Sequence, residues 1–362
     1  MDVGLLLLFL FVGFSLINYL FLSIVSRAKQ AAVEESVDIS VSVIVAAHNE
    51  SENLKRHLPH ILSQDYENFE LIVIDDNSTD DTANVLERLC KSHGNLKYAR
   101  LADVRGKKNA VTKGVELAKY EWLLLTDADC WPSSDKWIES MFAHLSSNTN
   151  LILGYSPFYK SSGLVNALAR VDAFIIGVQY LSFALYGIPY MGVGRNLAYR
   201  KSLFHQTGGF GNHLNVLSGD DDLFVQDAAS FSHTAVRMSR DAQTISKSKS
   251  SFNSWFSQKR RHSSTGFYYK TATLITLGLI QINILGFYTA LILNIIHGTH
   301  IWAVGVLVLI RFYSQYFVLK KIALKLGEID LLLLSLILEF PIIIFNLLAG
   351  FSNILYKNRR WN

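Results

Sequence analysis

Residues 122–129 read Trp122-Leu-Leu-Leu-Thr-Asp127-Ala-Asp129, an apolar run that stops in two carboxylates two positions apart. Short apolar runs of this kind form buried strands, and positions i and i+2 of a strand project to one side. Both carboxylates then converge on one point, and hard oxygen donors so placed suit Mg2+ or Mn2+. Solvated loops also carry Asp-x-Asp pairs, so the meaning of this one depends on its surroundings.

On either side the chain alternates short apolar runs with amphipathic stretches. Val41–Ala47, Leu71–Asp75, Leu96–Leu101, Glu121–Thr126 and Leu151–Tyr155 are expected strands. Ser51–Ser63, Asp80–Ser92, Lys107–Ala118 and Asp135–Leu145 are expected helices. Such alternation implies an α/β domain with a mostly parallel sheet covered on both faces. Asn77 to Asp81 offers several caps for the second helix, and Pro59 is expected to kink or divide the first. Three strands end in polar clusters: His48-Asn49-Glu50, Asp75-Asp76-Asn77 and Asp127-Ala-Asp129. Ligands of such sheets bind beyond the carboxyl ends of strands, where the strand order reverses, so the coincidence points to a binding site. No Gly-x-Gly-x-x-Gly follows the first strand and no Gly-Lys-[Ser/Thr] occurs, which argues against dinucleotide and P-loop sites.

Half of the 362 residues are hydrophobic. Val3 to Val25 is long enough to cross a hydrocarbon core of about 30 Å. Arg27 and Lys29 follow it without a small-residue cleavage site, so it reads as a retained anchor. Segments 272–296, 301–319 and 329–355 also qualify as spans. The expected division is an anchor (1–26), a linker (27–39), a domain (40–268) and a membrane region of about three helices (269–362). Basic residues favour the cytoplasmic side, which places the domain and the loop with Lys320, Lys321 and Lys325 there, in a plasma (inner) membrane protein. The same count puts Lys357, Arg359 and Arg360 outside, against the rule. Either the last segment is not a simple span or the tail is an exception. Arg311 and Glu339, inside apolar segments, either pair across helices or touch a lipid phosphate. Residues 163–186, with Arg170 and Asp172 near one end, suit a core helix or one lying on the membrane surface. Cys90 and Cys130 build no disulfide framework or zinc site. The net charge of +4, with dispersed basic residues, gives no sign of nucleic acid as a partner.

Four motifs come first: Val43-Ile-Val-Ala-Ala-His48-Asn49-Glu50, Ile74-Asp75-Asp76-Asn77-Ser78-Thr79-Asp80, Gly106-Lys107-Lys108-Asn109-Ala110 and Asp127-Ala-Asp129. Gly194-Arg-Asn196-Leu-Ala-Tyr-Arg200, Gly208-Gly-Phe210, Gly219-Asp220-Asp221-Asp222-Leu223 and Gln258-Lys-Arg-Arg261-His262 follow. Together, in order and at these separations, they resemble a family-2 glycosyltransferase with a GT-A fold over about residues 40–265.

The resemblance implies that the first two clusters hold the nucleotide of a sugar-nucleotide donor. Asp75 or Asp76 would contact base and ribose, with His48 and Glu50 lining the same pocket; a packed neutral histidine explains His48 equally well. Lys107 suits a donor diphosphate, the base pocket or a solvated helix start. Asp129 is the implied direct ligand of Mn2+ or Mg2+, and Asp127 its partner through ribose or water. A divalent cation there would stabilise the charge that develops on a nucleoside diphosphate as the glycosidic bond breaks. The acceptor hydroxyl needs a base. Family patterns counted back from Leu223 put it at Asp220, and patterns of the Gly-Asp-Asp type put it at Asp221; we favour Asp220 and keep both. Asp222 is better explained as an acid at a helix N-terminus. Gln258-x-x-Arg261-His262 resembles the Gln-x-x-Arg-Trp motif of processive and related membrane glycosyltransferases. It implies Gln258 at the donor, Arg261 on its phosphates, and His262, in place of Trp, with Asn196 at the acceptor. Lys259 to His262 is also the basic run that topology alone requires before a span.

The expected activity is therefore that of a membrane-anchored, metal-dependent, inverting glycosyltransferase. It would move a hexosyl or N-acetylhexosaminyl group from a UDP-linked donor to a lipid-linked or glycan acceptor in envelope glycan or glycolipid synthesis. A small processive polysaccharide synthase is the alternative, against which His262 and the few helices weigh. A non-catalytic glycan-binding scaffold is the alternative of another class, against which the retained Asp127, Asp129, Asp220 and Asp221 weigh.

Overall fold

The computed structural model describes residues 3–29, 39–101, 105–216, 218–298 and 300–355. Most of the expected linker (27–39), and all of Lys357, Arg359 and Arg360, lie outside the described residues. Helix α1 (Val3–Leu22) turns into the short α2 (Ile24–Arg27). The first half of the domain then runs β1 (Val41–Ala47), α3 (Ser51–Leu62), β2 (Phe69–Asp75), α4 (Thr82–Ser92), β3 (Leu96–Arg100), α5 (Lys107–Leu117) and β4 (Trp122–Asp127). The second half contains β5 (Cys130–Pro132), α6 (Trp137–Phe142), β6 (Thr149–Gly154), α7 (Leu164–Leu185), β7 (Leu197–Arg200) and α8 (Lys201–Gln206). It continues through α9 (Asp222–Ala228), β8 (His233–Arg237), β9 (Thr244–Ser246) and α10 (Phe252–Ser263). Three long helices close the chain: α11 (Thr271–His297), α12 (Ile301–Leu326) and α13 (Leu332–Leu355).

The main sheet has seven strands in the order β3-β2-β1-β4-β7-β6-β8. β1 lies parallel to both β2 and β4, with Val41 opposite Phe69 and Trp122, and β3 extends the parallel half. β7 then joins β4 antiparallel and is flanked by β6, while β8 pairs with β6 in parallel. The parallel half follows the sequence expectation; the inserted antiparallel β7 does not announce itself in its four residues. Strand alternation divides the apolar side chains between two layers. Val41, Val43 and Val45 of β1 meet Leu54, Leu58 and Ile61 of α3 on one face. Ile44 packs with α5, which bears Val111 and Val115, on the other, in a cluster that extends to Phe174 and Val178 of α7.

Three expectations are corrected. Pro59 does not divide α3, which runs unbroken from Ser51 to Leu62. Helix α6 covers six residues rather than the expected eleven. Asp127 and Asp129 do not sit side by side on a strand: β4 ends at Asp127, and Asp129 follows on a turn. Their convergence comes from that turn, not from strand pleating.

Among the described residues, five helices are long and apolar enough to cross a membrane, one of them α7. Helix α7 is two-thirds buried under the sheet and is therefore a core helix of the domain. Helices α1, α11 and α12 pack on one another through Leu8, Val12, Phe287, Ala290 and Val304. Arg311, with no exposure, donates to Glu339 Oε2 at 2.7 Å, and Gln315 Nε2 donates to Glu339 Oε1 at 2.9 Å. The two charges thus pair across helices α12 and α13, which satisfies them away from the exposed apolar surface.

Close packing of α5 on β1 depends on Gly114, where a Cβ would lie 2.5 Å from Ile44 Cγ2. Gly114→Val is expected to push the layers apart and cost about 1–3 kcal/mol. A thermal unfolding midpoint equal to that of the wild type would refute the contact.

Candidate active site

The strand order reverses between β1 and β4, because the crossovers run from β1 outward to β3 and then return to the other side of β1. The loops after β1, β2 and β4 therefore open into one crevice. Two asparagines in left-handed conformation, Asn49 (φ 56°) and Asn77 (φ 57°), turn the chain sharply after β1 and β2. Asn49 Oδ1 accepts the Thr79 N–H at 2.8 Å, and His48 Nδ1 donates to the Asp76 carbonyl at 2.7 Å, so the two loops are stitched together. Asp75 is fully buried; its Oδ1 accepts the Ser78 N–H at 2.8 Å and its Oδ2 lies 3.5 Å from Arg100 Nε. Asp76 is also buried and accepts the Gly106 N–H with both oxygens, at 2.8 and 3.0 Å. Both carboxylates are engaged in shaping the loops. The groups this side turns to the crevice are His48 and Glu50. Burial pushes the Glu50 carboxyl up, Asn53 opposes this, and the charges of Asp129 and Asp127 add to it.

Opposite stand the acids of β4 and α9, with one cation between them. Lys107, at the start of α5, lies 2.8 Å from Asp127 Oδ1 and 2.9 Å from Asp220 Oδ2. Burial would raise Asp220, but Lys107 overcomes it and holds the carboxyl below the usual range. Asp221 caps α9: its Oδ1 accepts the Asp222 N–H at 2.8 Å and its Oδ2 the Gly194 N–H at 2.9 Å. Burial and then the flanking charges of Asp220 and Asp222 push Asp221 up to about 7. Asp222 also borders the cavity and accepts from the Thr265 and Tyr269 hydroxyls ahead of α11.

Asp127, Asp129 and Cys130 bring ligand atoms within 4.8 Å of one another. The Cys130 thiol is pushed up by burial and then by Asp129, to which it donates at 3.4 Å, so it remains protonated. The donor set is then two carboxylates, and burial together with Asp127 raises Asp129, the mark of uncompensated negative charge. These residues fit a hard divalent cation, Mg2+ or Mn2+, better than a thiolate-seeking metal.

A cavity of about 870 Å³ runs from these acids, and Gln258, Arg261 and His262 of α10 line it as well. Asn196 does not. It has no exposure: its Nδ2 donates to Tyr155 O and Ala242 O, and its Oδ1 accepts the Trp137 indole N–H. The structure adds residues that motif reading passed over. Arg195 lines the cavity, donates to Ser156 Oγ and O at 2.8 and 2.7 Å, and lowers Asp129 by its charge. It sits on the turn just before β7, beside the inward-pointing Asn196, where no strand or helix periodicity marks its direction. Lys249 lines the same region and acts on both Asp129 and Glu50, from a Lys/Ser stretch that reads as ordinary loop.

Asn196→Ala strands the Trp137 indole and two buried carbonyls and is expected to cost about 1–3 kcal/mol per group left unsatisfied, read as lost thermal stability. Lys107→Met leaves Asp220 buried without its cation, a change expected to cost about 3–5 kcal/mol at neutral pH. Because the wild-type Asp220 value is depressed, its stabilisation is present above the unfolded value and fades as pH falls through the folded one. Without Lys107, burial lifts Asp220 above its unfolded value instead, so the variant's penalty is relieved as that carboxyl takes up a proton and its deficit should shrink between about pH 7.5 and about pH 4.5; equal deficits in unfolding midpoint at both would refute the pairing.

Comparison with known proteins gives this geometry a family. Residues 42–208 match the family model for glycosyl transferase family 2. A poly-beta-1,6-N-acetyl-D-glucosamine synthase of Staphylococcus epidermidis is 29% identical over 192 residues, 52% of this chain and 44% of the relative. The synthase of that name from Staphylococcus aureus strain COL is 34% identical over 89 residues, 25% of this chain and 21% of the relative. The chain thus spans less than half the length of these relatives. Among solved structures, the mannosyltransferase PcManGT from Pyrobaculum calidifontis, in complex with GDP-Man and Mn2+, superposes with a TM-score of 0.61. It is 16% identical, with 93% of this chain and 97% of that one covered, which establishes a shared fold. Residues 42–208 thus match glycosyl transferase family 2, in a mixed α/β domain of GT-A fold accompanied by helices long and apolar enough to cross a membrane.

Proposed function

We propose that the protein is a metal-dependent, inverting glycosyltransferase that moves a sugar from a nucleotide-sugar donor to a hydroxyl delivered by the membrane. One observation carries this reading. The cavity that begins at Asp127, Asp129 and Asp221 continues without a break to Leu277 and Gly278 of α11 and Gly350 and Phe351 of α13. Nothing lies within 4 Å of a Cβ built on Gly278 or Gly350, so both glycines face open space. A soluble acceptor would not need a path that ends between apolar helices.

In this reading the nucleotide sits beyond β1, beside His48 and Glu50, on loops shaped by Asp75 and Asp76. Its diphosphate faces Asp127 and Asp129, with Arg195 and Lys249 nearby and Gln258 and Arg261 across the cavity. A divalent cation held by Asp129 and Asp127 would neutralise the charge of the leaving nucleoside diphosphate. Asp220, already paired with Lys107, is a weak base. Asp221 titrates near neutrality and faces the cavity, which suits proton abstraction from an acceptor hydroxyl. This supports Asp221 as the base in place of Asp220, with Asp220 and Lys107 positioning it. No second carboxylate is assigned a nucleophilic role, so displacement is single and the anomeric centre inverts. His262 and the path between α11 and α13 serve the acceptor.

The names of the curated relatives support an N-acetylhexosaminyl donor and also a second reading, a small processive synthase. His262 weighs against the latter, since it lacks the stacking face of a tryptophan. The apolar helices support an integral membrane protein; the basic residues beside them support a cytoplasmic domain.

Nucleotide release from UDP-GlcNAc and GDP-mannose, measured in membranes with and without Mn2+, tests the reading directly. Metal-dependent release with one donor is expected, together with addition of single sugars; a ladder of long products would favour the processive synthase. Asp129→Asn should abolish metal-dependent turnover, and activity within a few-fold of wild type would refute the metal assignment. Asp221→Asn should lose about 10²–10⁴-fold in rate, and more than Asp220→Asn. The wild-type kcat/KM should climb as Asp221 deprotonates between about pH 6 and about pH 8, a limb absent in Asp221→Asn. A flat wild-type profile would remove Asp221 from the role.

A further inference from the structure

Helix α13 has 24 residues, about 36 Å at 1.5 Å per residue, enough by length to cross a bilayer. Its surroundings point elsewhere. Just ahead of it, Glu328 lies 2.7 Å and Asp330 2.8 Å from the guanidinium of Arg170 on α7, and Lys160 reaches Asp330 at 2.9 Å. At its far end, Asn353 Nδ2 donates to the Arg260 carbonyl of α10 at 2.6 Å and to Ser263 Oγ at 3.0 Å. Midway, Phe345 packs edge-on against Phe252 and Trp255 of α10. Helices α7 and α10 are themselves joined by Lys259 and Asp172, at 2.6 Å. Both ends of α13 are thus fastened to neighbouring helices of the glycosyltransferase domain. A spanning helix would carry one end away to the opposite side.

The two faces of α13 agree with this. Leu332, Ser335, Glu339, Ile342, Ile343 and Ala349 are buried, whereas Leu333, Ile337, Leu348, Phe351 and Ile354 are exposed along the other face. That apolar face is continuous with the exposed apolar surface of α11, which shares the cavity with it. We propose that α13 does not cross the membrane but lies in its interfacial plane on the side of the domain, with this face seated on the lipid leaflet. The crossings are then α1, α11 and α12, which pack as one bundle. The arrangement also removes the conflict that a further crossing creates with the basic residues after α13 in the sequence. It rests on the membrane reading of α11 and α12, and it sets the path between α11 and α13 at the level of the lipid headgroups.

Two measurements test it, neither requiring activity. A fluorescent-protein or alkaline-phosphatase reporter fused to the C-terminus of the unmodified chain should report the same side as one inserted between α2 and β1. A reporter between α11 and α12 should report the opposite side. Nitroxide labels at Leu333→Cys, Leu348→Cys and Ile354→Cys, in a Cys90→Ser, Cys130→Ser chain, should show similar shallow depths in phosphatidylethanolamine–phosphatidylglycerol vesicles. A C-terminal reporter on the far side, or label depths passing through the bilayer centre, would overturn the proposal. Nucleotide release from the unmodified chain in the same vesicles separates the two readings: its absence counts against the proposed activity alone.

Discussion

The Lys107 ammonium is the one cation set between Asp127 at the end of β4 and Asp220 at the start of α9, and the rest of the site depends on it. Those acids come from the two halves of the sheet, one parallel and one mixed. Like charges brought together by folding repel, and in a half-buried site the repulsion is poorly screened. Lys107 makes the convergence tolerable at Asp220, while burial and neighbouring acids still push Asp129 and Asp221 up. The asymmetry sets the acids apart: Asp220 is held below the usual carboxylate range and Asp221 is pushed above it.

Helix α7 does for the architecture what Lys107 does for the site. Its apolar residues close one face of the sheet, while Arg170 and Asp172 reach the loop before α13 and Lys259 on α10. Thr265 and Tyr269 fasten Asp222 just ahead of α11, so the segment bearing the candidate base is bonded directly to the start of a membrane helix. The cavity therefore has walls from both the domain and the apolar helices.

Much of this was legible in the residues. Apolar runs ending in polar clusters identified β1, β2 and β4 and the edge where their loops gather, because a buried parallel strand leaves its ligand-binding chemistry to its carboxyl end. The apolar segments at both ends were equally plain. Side-chain direction was not. Asp75, Asp76 and Asn196 sit in motifs that read as ligand contacts, yet each is buried and bonded to the backbone of neighbouring segments, Asp75 and Asn196 also meeting the Arg100 and Trp137 side chains. Arg195 and Lys249 carry no local pattern that distinguishes them from other basic residues, and they reach the crevice only because β7 and the segment after β9 lie against it.

The sequence by itself determined the resemblance to a known domain family, the mostly parallel half of the sheet and the long apolar segments, since each follows from local periodicity or from motifs in order. Tertiary structure alone decided which aspartate of the triplet pairs with a lysine. The difference is a few ångströms from Lys107, more than 100 positions away in the chain. It likewise decided that α13, as apolar as α11, has both ends bonded to the domain. Hydropathy records whether a helix tolerates lipid; where it lies is set by what holds its ends.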